Sequence, residues 1–137
     1  MIQANELRIG NLVYQCDLDY DAVGNPIAYH DKDSLVVPIN LSVLSDIINT
    51  DFTTKYPAYA PIPITPEWLE RLGFEWDIYY QGYCDGNYLV NIRENGTISF
   101  AYGKRRHDEM QFLPYIKYVH QLQNLYHAIT GNELKIK

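Results

Sequence analysis

The chain has 137 residues, 47% of them hydrophobic and 20% charged, which is the make-up of a folded globular protein with a core of its own and excludes a disordered segment. A net charge of −6 disfavours non-specific attachment to a phosphate backbone, and no run of apolar residues approaches the roughly 20 that a membrane-spanning helix needs. Cys16 and Cys84 are isolated and form no CxxC pair, which fits two free thiols in a reduced, cytoplasmic setting.

In chain order, "LRIGNLVY" (Leu7 to Tyr14) reads as a first strand, interrupted at Gly10-Asn11 as at a bulge or sharp bend. Asp17 to Asp33 is acidic and loop-like, with a turn at Gly24-Asn25-Pro26. Leu35 to Ile39 reads as a strand, and Leu41, Val43, Leu44, Ile47 and Ile48 fit a short helix starting near Asn40 or Ser42. Asp51 to Pro63 is proline-containing and without periodicity, a connector between two lobes.

"ITPEWLERLGF" is the clearest local pattern. Thr65 is placed as N-cap, Pro66 as first helical residue, Glu67 at the positive end of the helix dipole, and Gly73 as the left-handed stop. An antiparallel meander follows: strands at Trp76 to Tyr80, Tyr88 to Arg93 and Thr97 to Tyr102, turns at Asp85-Gly86 and Asn95-Gly96, and a fourth strand near Glu109 to Leu113. Pro114 ends it and leads into a last helix, Tyr115 to Thr130, closed by Gly131. The expected fold class is α+β: an antiparallel β-meander covered by the C-terminal helix (61–137), with an N-terminal β-rich lobe (1–60), a small barrel being one form that lobe can take.

Three stretches, "ANELRIGNLVY", "PIPITPEWLERLGF" and "IKYVHQLQNLYHAITGNEL", together about a third of the chain, resemble a family of small uncharacterised proteins of bacterial genomes and their prophages. The resemblance implies kinship and a mobile-element context. It carries over no catalytic residue, and Asp17 to Tyr59 departs from the pattern like an insertion or a diverged lobe.

Candidate chemistry is sparse. A calcium loop opening at Asp19 puts Gly24 at the sixth position, but Val23 and His30 stand where oxygen ligands belong. His120 and His127, seven residues apart on a helix, are separated by roughly 10 Å along its axis, too far for one zinc ion. No nucleotide-binding glycine pattern or nucleophile motif occurs, and Cys84 stands beside an acidic residue that raises a thiol pKa. No metal, cofactor or catalytic residue is therefore assigned. The one basic cluster, Lys104, Arg105, Arg106 and His107, follows Tyr102, so phosphate binding with base stacking is a candidate chemistry there, against the opposing Asp108 and Glu109.

The last helix raises the main question. Its apolar stripe of Tyr115, Tyr118, Val119, Leu122, Leu125, Tyr126 and Ile129 suits a sheet-facing core. The other side carries Lys117, His120, Gln121, Asn124, His127 and Ala128, with Gln123 at its edge, and no fixed charge stands between Lys117 and Glu133. Such a face is exposed, packed on its own protein, or in contact with another chain or a second copy, since depletion of Lys, Glu and Asp marks interface cores. The expectation is a non-enzymatic interaction module that binds a protein partner, with His120, Gln121, Asn124 and His127 as candidate contacts. The alternatives are a nucleic-acid-binding accessory protein using Tyr102, Lys104, Arg105 and Arg106, and an enzyme of unrecognised type.

Overall fold

The computed structural model describes residues 6–24, 26–53, 59–86, 88–102, 111–112 and 116–137. The chain divides into two units, Met1–Ile62 and Pro63–Lys137.

In the first unit a turn at 8–11 precedes the sheet. The Asn11 N–H donates to Arg8 O at 3.0 Å, the Asn11 Oδ1 accepts from the Arg8 N–H at 2.6 Å, and Gly10 takes a φ of 95° that favours glycine. The first strand is accordingly shorter than its apolar pattern suggests: β1 is Leu12–Gln15. β2 (Asp17–Tyr20) and β3 (Pro26–Tyr29) then form an antiparallel hairpin. This corrects the expected loop, whose high Asp content hid the period-two alternation of Asp17-Leu18-Asp19-Tyr20.

β4 (Val36–Pro38) pairs with β1, and α1 (Leu41–Thr53) follows, capped at Asn40, whose Oδ1 accepts from the Val43 N–H at 2.9 Å. The helix runs into the stretch expected to be a connector, and β5 (Tyr59–Ala60) joins the other side of β1. The sheet β4-β1-β5 is open, with no closed barrel among the described residues. Val13, Ile39 and Ile47 form its core, with Val43, Leu44 and Tyr59 packed around them.

The second unit begins with α2 (Pro66–Arg71), where the Thr65 Oγ1 accepts from the Trp68 N–H at 3.2 Å. It stops at Gly73, φ 91°: the Gly73 N–H donates to Glu70 O and the Phe74 N–H to Leu69 O, which satisfies two terminal carbonyls. Trp68, Leu69, Leu72 and Phe74 are buried. The antiparallel sheet has five strands where four were expected: β6 (Glu75–Asp77), β7 (Gly82–Asp85), β8 (Tyr88–Ile92), β9 (Ile98–Tyr102) and β10 (Gln111–Phe112), in the order β10-β9-β8-β7-β6. Both faces of its centre are buried. Cys84, Leu89 and Ala101 form one cluster, and Val90 and Phe100 lie on the opposite face.

α3 spans Val119–Thr130 and starts four residues later than expected. Residues 116–118 are extended instead: the Ile116 N–H donates to Ile98 O at 3.0 Å and the Ile64 N–H to Lys117 O at 3.0 Å. Those bonds hold the chain in bridge geometry and move the N-cap to Tyr118. Over the sheet, the Tyr126 ring meets Tyr88 edge-to-face at 5.2 Å, and Tyr88 stacks on Phe100.

Candidate functional site

Several residues of the uncharged side of α3 are engaged by their own helix and by the residues that follow it. His120 was placed on the outward side, but it is only 1% exposed, and its ring stacks on Tyr118 at 5.7 Å. The Gln121 Oε1 accepts from the N–H groups of Lys117 and Tyr118 at 2.8 and 3.0 Å, so this side chain caps its own helix. Gln123 is buried and donates through Nε2 to Leu134 O at 3.0 Å. His127 lies 3.7 Å from Glu133, and Asn124 is half-buried.

Two of these contacts, those of Gln123 and His127, come from the return of residues 132–137 after the Gly131 stop. Leu134 is buried, the Lys137 N–H donates to Arg71 O at 2.9 Å, and the Lys137 Nζ lies 3.8 Å from Asp85. At Gln123 an amide stands where a backbone carbonyl must be met in a buried place. Of the four candidate contact residues, His120 is buried, while Gln121, Asn124 and His127 are half-buried.

Tyr102 lies in β9, opposite Tyr88 and Gln111, while Lys104, Arg105 and Arg106 fall outside the described residues. Among the described residues, no three His, Cys, Asp or Glu side chains come together as metal ligands, and no helix is long and apolar enough to cross a membrane. Burial, and after it the Asp17 carboxylate, push the Cys16 thiol pKa up, which keeps it in its weakly nucleophilic form.

The surface that stands out is the β6 end of the large sheet. The stretch expected to be one strand from Trp76 to Tyr80 is a strand of three residues and then a turn. The Asp77 Oδ1 fixes that turn by accepting from the N–H groups of Tyr79 and Tyr80 at 2.9 and 3.2 Å. Tyr80 points back onto the Cys84, Leu89 and Ala101 cluster, which leaves its neighbours displayed: Ile78 is 84% exposed, Tyr79 79% and Trp76 55%. The turn closes through Gln81 at φ 50°, a left-handed conformation that a side chain tolerates only where its surroundings impose it. The Trp76 ring is steadied by its cross-strand neighbour Tyr83, edge-to-face at 5.3 Å.

Between this turn and the β8–β9 hairpin lies an open groove of about 820 Å³, whose lining includes Trp76, Ile78, Tyr80, Gln81, Arg93 and Glu94. The hairpin wall is held by its turn bonds: the Arg93 N–H donates to Thr97 O, the Gly96 N–H to Arg93 O and the Thr97 N–H to the Asn95 Oδ1. Sequence reasoning placed no site here. The pattern that points to it is the break in alternation at Ile78-Tyr79-Tyr80, where three large side chains in a row cannot all face one buried side of a strand.

No protein-family model, no curated protein and no solved structure matches the chain.

Proposed function

We propose that the protein is a non-enzymatic interaction module that binds a protein partner through the β6 edge of its second unit. The observation that carries this reading is the display of Trp76, Ile78 and Tyr79 within four residues at a sheet edge, on a turn pinned by Asp77. Contiguous exposed apolar groups next to a groove mark interaction sites, and Trp and Tyr are the residues that most often anchor them. A second observation supports it. Gln121 caps its own helix and Gln123 bonds Leu134 O, so part of the uncharged side of α3, the other candidate, is already engaged. The resemblance to bacterial and prophage proteins makes a bacterial protein the expected partner.

The test is affinity capture from native bacterial lysate with two baits, the wild type and Ile78→Lys combined with Tyr79→Ser. Both positions are exposed, so the double variant keeps its denaturation midpoint. The expected result is a protein retained by the wild type and lost by the variant. Identical recoveries from both baits would overturn the reading.

A further inference from the structure

The lining of the groove joins the exposed Trp76 ring, steadied by Tyr83, to four hydrogen-bonding side chains: Gln81 from the turn, and Asn91, Arg93 and Glu94 from the β8–β9 hairpin. Within that lining Arg93 and Glu94 cancel, so among the described residues the groove carries no net charge. The nearby carboxylates do not add to it. Asp77 is taken up by the N–H groups of Tyr79 and Tyr80, and Asp85 lies beside Lys137. The amides of Gln81 and Asn91 each offer donors and an acceptor, Arg93 offers donors and Glu94 acceptors. A groove this polar does not suit a wholly apolar ligand, and its balanced charge selects neither an anion nor a cation.

We infer that the groove binds a neutral sugar, a pyranose ring of an oligosaccharide, stacked on Trp76 and hydrogen-bonded by Gln81, Asn91, Arg93 and Glu94. A pyranose has two chemically different parts. Its ring C–H groups form a weakly polar face that rests on the electron-rich face of an indole. Its rim of hydroxyls both donates and accepts, and a mixed set of amide, guanidinium and carboxylate groups answers both demands. Gln81 is held at φ 50°, a strained conformation of the kind found at ligand clamps. The sugar contact goes beyond the protein contact proposed above, which is carried by the apolar display of Ile78 and Tyr79.

The probes are maltotriose, cellotriose and tri-N-acetylchitotriose, with sorbitol as the control that has hydroxyls but no ring face. Each is titrated into nitrogen-labelled protein up to about 10 mM, which reads a Kd near about 1 mM. The chain has 2 tryptophans, so the spectrum has two indole signals, which Trp76→Ala assigns. At least one of the trisaccharides is expected to move the Trp76 signal and leave that of buried Trp68 in place, while sorbitol moves neither. Asn91→Ala should weaken the affinity about three- to tenfold, the range of one hydrogen bond. Trp76→Phe, read through the side-chain amide signals, should retain binding that Trp76→Ala loses, because the phenyl ring keeps a stacking face. Added salt should leave the affinity nearly unchanged, as for an uncharged ligand. No movement at Trp76 with any of the three sugars, equal movement with sorbitol, or an affinity that falls steeply with salt would overturn the inference. The protein contact is read separately, by capture with the Ile78→Lys, Tyr79→Ser bait. If capture succeeds and no sugar binds, the sugar site falls and the interaction surface stands. If a sugar binds and capture fails, the reverse holds.

Discussion

At Gln123 one side-chain amide joins α3 to the returning tail, and the energetics of that bond set the first prediction. Gln123→Ala leaves Leu134 O buried without its donor, which costs about 1–3 kcal/mol. Leu134→Ala opens a cavity under the tail and costs about 2–5 kcal/mol. Urea unfolding measures both. Because the two changes disturb one contact, the double variant should lose less than the two single losses combined. Tyr126 shows a second effect at this scale. Burial first, then the Asp85 charge and Tyr88, raise its pKa above the ordinary value of about 10. A folded pKa above the unfolded one means that the folded state holds the phenol proton more tightly. The resulting stability is complete below about pH 10 and is lost as the pH climbs through the folded pKa. Unfolding free energies measured from about pH 9 to about pH 11 should therefore fall less steeply for Tyr126→Phe than for the wild type.

Among the elements, α2 shows how far local chemistry can specify a helix. Thr65, Pro66 and Gly73 each do what their residue type requires, so the sequence alone places both ends of this helix. Gly73 has a second constraint that only the fold reveals. A Cβ there would lie 2.5 Å from the Lys137 Cδ, in addition to the strain of φ 91°. Gly73→Ala should cost about 1–2 kcal/mol in chemical denaturation, and Lys137→Ala in the same background should recover only the steric part. The features that sequence reasoning missed have long-range causes. The start of α3 is set by bonds from Ile98 and Ile64, the engagement of Gln123 by the tail residue Leu134, and the strand at β5 by its pairing with β1. Most of these partners lie far along the chain, and Leu134, 11 residues from Gln123, is met through a side-chain bond that periodicity does not report. β6 was overextended for the opposite reason, because a turn rich in large apolar residues imitates a strand.

For the whole molecule, both units build the same way, antiparallel strands with helical cover, which is the α+β class that the order of strand and helix patterns indicates. In the reading proposed above, the sheet edge with its displayed aromatic side chains and adjoining groove holds another protein by a small anchored contact. The most direct measurement is the affinity of the captured partner for three forms of the protein: wild type, Ile78→Lys and Asn124→Glu. A charge placed in the centre of a contact costs at least tenfold in affinity, about 1.4 kcal/mol. The β6 edge predicts that loss for Ile78→Lys and an affinity close to wild type for Asn124→Glu. Equal binding by Ile78→Lys and wild type, with the loss found at Asn124→Glu instead, would contradict it and return the interaction surface to α3.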